Sequence, residues 1–197
     1  MPATPSPSPG TAQLHGWINR IQAGDESARD ELVRAFSARL EQLARLKLRD
    51  FPGVARWEQT GDVMNAAVLR LQRALSAVTP ESPRHFYNLA GIQVRRELLD
   101  LARRYAGPQG LGANHQTDPS GGLLRQAADE GEPSSAAEWN EFLERAERLP
   151  EEEREAFDLL WVQGLTQEEA AAVLGVSVRT VKRRWQSARL LLSGLCC

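Results

Sequence analysis

The sequence predicts an all-α protein of two small helical domains joined by a flexible linker, with a helix-turn-helix in the second domain. Apolar residues recur at helical spacing in both halves of the chain, and no alternating pattern of convincing length indicates a strand. Residues 107–135 lack periodicity and are rich in Gly, Pro, Asp and Asn. We therefore expect a disordered tail at 1–12, helical domains at 13–106 and 136–194, and a linker between them.

Composition and charge limit the class of protein. A chain of 197 residues suits one or two small domains, and its formal charge of −2 excludes a uniformly basic surface for nucleic acid. The charges segregate, because acidic residues dominate from Asp129 to Glu155 whereas every charge after Val176 is basic. Any contact with DNA is therefore expected to use a local patch.

No membrane or export signal is visible in the sequence. No apolar run approaches the roughly 20 residues that a membrane-spanning helix needs, and the first residues lack the pattern of a signal peptide. The adjacent Cys196 and Cys197 do not form a disulfide framework. We expect a cytoplasmic protein without membrane insertion and without a large regulatory extension after the last helix.

Two helices are predicted before residue 50. The first ends at Gly24 and has helically spaced apolar residues at Leu14, Trp17, Ile18 and Ile21. Asp25 suits the N-cap of a longer second helix. Its buried face is expected to contain Leu32, Phe36, Leu40, Leu43 and Lys47. Most of its arginines are expected outside that face, namely Arg29, Arg34, Arg39 and Arg45.

Two further helices complete the first predicted domain. The third begins near Thr60 or Asp62, and Val78 to Pro83 forms a loop after it. Ser82 caps the fourth helix, Pro83 takes its first position, and the helix runs to about Tyr105. The inner face of the third is predicted as Val63, Ala67, Leu71, Ala74 and Leu75. That of the fourth is predicted as Phe86, Leu89, Ala90, Val94, Leu98 and Leu101.

The second predicted domain begins with two helices. One has its apolar face at Trp139, Phe142, Leu143 and Ala146. The next starts at Leu149-Pro150, ends at Gly164, and has three glutamates near its N-terminus, where the helix dipole favours negative charge.

The stretch from Thr166 to Trp185 predicts a helix-turn-helix. Thr166 and Glu169 have the spacing of a capping box, Gly175 stands where a tight turn needs positive φ, and Ser177 can cap the second helix. Val178 and Val181 keep that helix packed inward, whereas the residues expected to point outward are Arg179, Thr180, Lys182, Arg183 and Gln186. Such donors suit entry into the DNA major groove. A surface helical hairpin with a charged face is the alternative.

Three stretches of the chain resemble segments of one protein family. The run that includes Leu149-Pro150, Gly164 to Ala171, Leu174 to Ser177 and Thr180 to Arg183 is similar to the promoter-binding domain of bacterial sigma factors. The whole arrangement resembles the extracytoplasmic-function (ECF) group of these factors. Asp62 to Leu71 resembles the family's helix for core RNA polymerase. Phe86 to Asp100 resembles its helix for the minus-ten promoter element.

Some details narrow this resemblance or depart from it. Val178 to Trp185, with Ser187 and Arg189, resembles a planctomycete-type subgroup. Asn65 and Ala66 stand where many relatives carry more polar or acidic residues. Gly91 interrupts a helix where relatives have better helix formers, at a cost of about 1 kcal/mol relative to Ala.

The resemblance implies a sigma factor, which is not an enzyme by itself and carries core polymerase to promoter DNA. It implies polymerase contacts at Asp62, Asn65, Leu69 and Arg70. It implies contacts with the minus-ten element at Arg84, Tyr87, Asn88, Arg95 and Arg96, beside a loop, Val78 to Arg84, placed to accept a flipped base. It implies contacts with the minus-thirty-five element at Arg179, Thr180, Lys182, Arg183, Arg184 and Gln186.

Individual roles within these sets follow from side-chain chemistry. Arg183 or Arg179 can read guanine through paired hydrogen bonds, whereas Lys182 or Arg184 suits phosphate. We expect Phe86 in the core and rank packing ahead of DNA contact for Trp185. The acidic linker residues either occupy a polymerase channel or serve only a soluble tether, namely Asp118, Asp129, Glu130 and Glu132.

Other functions remain as alternatives. The first is a stand-alone operator-binding regulator, which would bind DNA without polymerase, and another is a sigma-like activator that does not open DNA. An enzyme is disfavoured because His15, His85 and His115 lack metal-ligand spacing and no phosphate-binding glycine loop occurs. We therefore expect no catalytic residue, cofactor or metal. An anti-sigma factor or other regulatory protein is a candidate further partner.

Overall fold

The computed structural model describes residues 10–49, 60–106 and 136–193. Eight α-helices and one π-helical turn occupy these residues, with no strand among them, so the predicted all-α class is confirmed. In chain order they are α1 (Thr11–Gln22), α2 (Glu26–Arg49), α3 (Thr60–Ala77), α4 (Pro83–Ala106), α5 (Ala136–Glu147), α6 (Glu151–Phe157), the π-helical turn (Asp158–Val162), α7 (Gln167–Leu174) and α8 (Val178–Leu192). The predicted linker and its acidic residues, most of the N-terminal tail, and the cysteine pair lie outside the described residues.

Local sequence signals explain where several helices begin. The Asp25 carboxylate accepts hydrogen bonds from the backbone N–H groups of Ser27 and Ala28, at 2.9 and 3.3 Å, as expected of an N-cap. The Ser82 hydroxyl accepts from the His85 N–H at 3.1 Å at the start of α4. These caps satisfy backbone donors that the first helical turn leaves without partners.

Helices from both halves of the chain share one hydrophobic core. Phe36 of α2 meets Phe86 of α4 edge to face, with ring centroids 5.4 Å apart. Leu14, Phe86, Phe157 and Val181 all belong to the same buried cluster, although they come from α1, α4, α6 and α8. The predicted burial of Phe86 is confirmed. The described residues of the two halves therefore pack against each other, with α4 as the central element.

Helix α5 covers the C-terminal part of α4. Leu99 and Ala102 of α4 pack with Leu143 of α5 in a smaller apolar cluster, next to partly buried Trp139 and Phe142. Trp161, in the π-helical turn, stacks on Phe157 at 5.1 Å. The predicted apolar face of α5 is therefore confirmed.

One prediction about α2 was wrong. Arg39 was expected outside the buried face, but it is only 6% exposed. Its guanidinium donates from Nε to the Gln163 carbonyl at 3.0 Å and from Nη2 to the Gly164 carbonyl at 2.6 Å. These carbonyls end the π-helical turn, where backbone acceptors lack helical partners and a cation is favoured. The side chains of Leu43, Lys47 and Val63 lie outside the described set.

Candidate nucleic-acid interface

The turn between α7 and α8 has the geometry that its sequence predicts. The Glu169 N–H donates to Thr166 Oγ1 at 3.1 Å, and the Thr166 N–H donates to Glu169 Oε2 at 2.7 Å, which completes the capping box. Gly175 ends α7 with φ 66°, in the left-handed region. Ser177 then caps α8 by accepting from the Thr180 N–H at 3.1 Å. The helix-turn-helix is therefore confirmed.

One face of α8 is exposed in the part of the chain that the structure describes. Arg179, Lys182, Arg183 and Gln186 are exposed and have the spacing i, i+3, i+4, i+7, which places them on the same side of the helix. Thr180 is half-buried, and its hydroxyl lies 2.9 Å from that of Ser177. Three cations and an amide at the N-terminal turns form a surface suited to phosphate and base edges.

The opposite face of α8 holds the helix in place. Val181 and Ala188 are fully buried, and Trp185 stacks on Phe157 with ring centroids 6.4 Å apart, a packing contact of the kind expected for it. Arg184 also lies on this side, with 10% of its side chain exposed, and it pairs with Glu152 of α6 at 2.6 Å. The structure therefore does not bring Arg184 to the exposed face with Lys182.

The candidate minus-ten residues lie on α4, and most of them contact the C-terminal half of the chain. Tyr87 is 2% exposed, and its carbonyl accepts from Gln163 Nε2 at 3.1 Å. The Arg95 guanidinium donates from Nη1 to both oxygens of Asp158, at 2.9 Å each. Neither side chain is open to a ligand in this conformation.

Arg84 and Asn88 converge on a second carboxylate. Arg84 donates from Nε and Nη2 to the two oxygens of Glu155 at 2.8 Å, in a bidentate pair. Asn88 Nδ2 donates to Glu155 Oε1 at 2.8 Å. The Arg84 side chain nevertheless keeps 46% of its surface exposed, and Arg96 is exposed as well.

Burial and charge shift the ionisation of this region. Burial raises the pKa of Asp158 to about 7, although the charge of Arg95 acts in the opposite direction. Burial also opposes the ionisation of Glu155, but the hydrogen bonds from Arg84 and Asn88 outweigh it and leave the pKa of Glu155 below its usual value. Burial raises the pKa of Tyr87 to about 12.

The candidate polymerase-binding residues lie on α3. Asn65 is exposed and Leu69 is 52% exposed, an unusual position for a large apolar side chain. Arg70 forms ion pairs with Glu97 at 3.0 Å and Asp100 at 2.7 Å on α4. Leu69 and Arg70 border an open groove of about 560 Å³ between the two helices. Asp62 belongs to α3, but its side chain is not among those described.

Sequence reasoning missed the acidic partners of α4. Neither the acidic segment that ends at Glu155 nor the predicted helix that contains Glu155 and Asp158 indicated a partner for them, and Gln163 was not singled out. The spacing of Arg84, Asn88 and Arg95 on one side of α4 was a usable signal, because polar residues aligned at helical spacing often meet a partner surface. That signal does not identify the partner.

The described residues contain neither a candidate metal site nor a candidate membrane-spanning helix. Within these ranges, no group of three or more His, Cys, Asp or Glu side chains is placed to hold a metal ion. No helix among them is both long and apolar enough to cross a membrane.

Similarity to known proteins covers nearly the whole chain. A family model described as "ECF sigma factor" matches residues 11–194. The chain belongs to the ECF sigma factor family. It is 27% identical over 178 residues to the ECF RNA polymerase sigma-E factor of Escherichia coli (strain K12), covering 87% of this chain and 88% of that protein.

Two further relatives support the same family. The sigma-E factor of Salmonella typhimurium (strain LT2) is 26% identical over 178 residues. The ECF RNA polymerase sigma factor EcfG of Rhodopseudomonas palustris (strain TIE-1) is 33% identical over 78 residues, 40% of this chain and 43% of that protein. As an ECF sigma factor, the chain has a role in transcription initiation, and its family implies interaction with RNA polymerase and promoter DNA. The planctomycete-type subgroup stays a prediction.

Proposed function

We propose that this ECF sigma factor reads the minus-thirty-five element of its promoters with the exposed face of α8. The observation that supports this most directly is the group Arg179, Lys182, Arg183 and Gln186 on a helix whose position is fixed by caps and by a buried opposite face. Arg179 or Arg183 would read guanine, and Lys182 would bind phosphate. Arg184, held by Glu152, would support the helix position or turn outward to phosphate on binding.

We propose that α3 binds core RNA polymerase. Asn65 and Leu69 are both exposed, and Leu69 lines an open groove, so this face combines apolar and polar contact area. Arg70 would contribute through its ion pairs with α4, which fix the side of the groove. Asp62 remains in the proposed set because of its place in the family motif.

We propose that the start of α4 and the loop before it engage the minus-ten element and assist promoter opening. Tyr87 and Asn88 would contact bases, and three arginines would contact phosphate, namely Arg84, Arg95 and Arg96. This role requires α4 to be free of its contacts with α6. The domain limits 13–106 and 136–194, with a linker at 107–135, belong to the same proposal.

In-vitro transcription with core polymerase from the source organism, over a pool of its promoter fragments, tests this function. We expect initiation at a defined promoter set only when this protein is added, and a strong loss with the double variant Arg179→Ala/Arg183→Ala. Arg148→Ala is the matched control, because Arg148 is exposed but lies between α5 and α6. Binding to DNA that needs no polymerase, together with no initiation, would favour the operator-binding regulator instead.

Three further expectations accompany this proposal. The protein would act without catalysing a reaction, it would work in the cytoplasm, and an anti-sigma factor or another regulatory protein would control it. These expectations rest on the family. Co-purification of the full-length protein from its source, followed by identification of bound proteins, tests for the regulatory partner.

A further inference from the structure

Four residues on one side of α4 form a continuous stripe. Arg84, Asn88, Gly91 and Arg95 follow the spacing i, i+4, i+7, i+11, which keeps them aligned along the helix. The two arginines and the asparagine have polar side chains, whereas the glycine has no side chain. A stripe of this kind provides donors at its ends and room for close approach in the middle.

An acidic stripe from the C-terminal half matches these four residues. The Glu155 carboxylate accepts hydrogen bonds from both Arg84 and Asn88. The Asp158 carboxylate, three residues later, accepts from Arg95. A β-carbon at Gly91 would lie 2.8 Å from Asp158 Oδ2, so the glycine makes space for the carboxylate. Each donor on α4 thus faces an acceptor on α6 or on the π-helical turn that extends it.

A second set of contacts closes the other side of the junction. Arg39 of α2 binds the carbonyls of Gln163 and Gly164, at the end of the π-helical turn. Gln163 is fully buried and donates from its amide to the Tyr87 carbonyl. The segment from Glu155 to Gly164 is therefore held by α2 and α4 together.

We infer that this contact is an autoinhibitory latch, in which Glu155 and Asp158 occupy the face of α4 that would otherwise engage promoter DNA. The inference rests on the proposed role of α4. Two carboxylates stand where phosphate groups would be bound, since both ligand types take paired hydrogen bonds from arginine. The latch thus satisfies the same donors with an internal anion.

The chemistry of the junction suits a contact that opens. Buried ion pairs contribute little net stability, because desolvation of both charges offsets their attraction. Arg95 Nε and Gln163 Oε1 are buried and have no hydrogen-bond partner within the described residues, which further weakens the closed form. These polar contacts lie beside the hydrophobic core that both halves share, so opening also separates apolar surface.

The latch leaves two other surfaces accessible. Asn65 and Leu69 on α3 stay exposed, as do Arg179 and Arg183 on α8. Polymerase or upstream DNA can therefore engage the closed chain before α4 is released. Binding energy from those surfaces would then shift the equilibrium toward the open form.

Glu155→Arg in the full chain tests the latch, because it removes the anion without altering any proposed DNA- or polymerase-binding residue. Dyes for energy transfer are attached at Ser76→Cys and Ser193→Cys after replacement of Cys196 and Cys197 by serine. We expect Glu155→Arg to lower transfer efficiency, and added Arg84→Glu to restore it by re-forming the pair with reversed charges. Circular dichroism verifies that helix content is retained in both variants.

Masking is measured with a fluorescent pool of random single-stranded DNA and no polymerase. We expect Glu155→Arg to bind it about tenfold or more tightly than the wild type, since Glu155 is the shared acceptor of Arg84 and Asn88 and its loss releases both donors. Glu168→Arg is the control, because it makes the same change of charge at an exposed site on α7. If Glu155→Arg and Glu168→Arg increased the affinity for single-stranded DNA equally, the proposal that α6 masks α4 would be wrong. If Glu155→Arg left the energy-transfer efficiency unchanged, the proposal that Glu155 holds the two halves together would be wrong.

Failure of the proposed function would be seen in a separate assay. Absence of polymerase-dependent initiation by the wild type would contradict the sigma-factor roles assigned to α3, α4 and α8. The transfer and single-strand measurements need no polymerase, so their results would still decide whether α6 covers α4.

Discussion

Gly91 of α4 lies directly beneath the carboxylate of Asp158, whose Cγ and Oδ2 would stand 3.0 and 2.8 Å from a β-carbon at position 91. The sequence suggests only that this glycine weakens a helix. The structure gives the position a packing role, because the absent side chain lets two helical segments approach closely. Arg95, one turn further along α4, then reaches the same carboxylate.

The variant Gly91→Ala should loosen this contact. Alanine favours the helix by about 1 kcal/mol, but its methyl group would displace a carboxylate that is already held by Arg95. We expect a net loss of thermal stability and lower energy transfer between the halves. Gly16→Ala is the matched control, since nothing lies within 4 Å of its added methyl group, and it should stabilise the protein. A gain in thermal stability from Gly91→Ala equal to that from Gly16→Ala would contradict the packing role of Gly91.

Removal of one partner from the Arg95–Asp158 pair should be more harmful than removal of both. Each side chain is 6% exposed, so above pH 7, where Asp158 is ionised, Arg95→Met leaves a buried carboxylate without its cation, at a cost of about 3–5 kcal/mol. The double variant Arg95→Met/Asp158→Leu should recover most of that free energy. Urea unfolding of the two variants gives the comparison. A similar loss of unfolding free energy in the single and the double variant would indicate that the ion pair itself supplies the stability.

The predictable and unpredictable parts of the molecule differ in the range of their interactions. The capping box at Thr166 and the left-handed Gly175 depend on neighbouring residues, so the helix-turn-helix was identified correctly from sequence. The Arg84–Glu155 pair joins residues 71 positions apart, and nothing near either residue marks the other as its partner. Arg39 was misplaced for the same reason, because its carbonyl acceptors follow α6 and only the fold brings them to α2.

The contact between α4 and the π-helical turn should weaken as pH rises toward 7. Burial raises the pKa of Asp158 to about 7, so the closed form holds this proton more tightly than the open form. The stabilisation that the bound proton gives to the closed form is therefore complete below the ordinary pKa of an aspartate, and it is lost as pH rises through about 7.

Energy transfer measured between pH 5 and 8 checks this dependence. The closed-to-open ratio should fall by at most about tenfold per pH unit, the limit for one proton. Glu155 has a lowered pKa and stays ionised throughout that range. Asp158→Asn should show a flatter profile. Transfer that rises with pH would mean that the attraction of Arg95 outweighs the effect of burial.

The variant Thr166→Ala should destabilise the helix-turn-helix. It removes the acceptor for the Glu169 N–H and half of the capping box, and such losses cost about 0.5–2 kcal/mol. Thr166→Ser retains the hydroxyl and should remain close to the wild type. Thermal unfolding followed by circular dichroism measures both, and a loss of similar size in Thr166→Ser would point to the methyl group rather than the cap.

The arginines of α8 should separate into DNA-reading and structural residues. Arg183 is exposed on the face proposed to enter the major groove, so Arg183→Ala should cost about 1–3 kcal/mol of binding and relax sequence preference. Lys182→Ala should weaken binding to all DNA sequences similarly. It should also reduce the slope of log binding constant against log salt concentration by about one.

Arg184 is the informative comparison, because its side chain is 10% exposed and pairs with Glu152 at 2.6 Å. We expect Arg184→Ala to lower folding stability while sequence preference in the bound fraction stays unchanged. Binding of polymerase holoenzyme to promoter variants, measured alongside urea unfolding of the free protein, distinguishes these outcomes. A relaxed sequence preference in Arg184→Ala at normal stability would mean that this side chain leaves Glu152 and turns to the DNA.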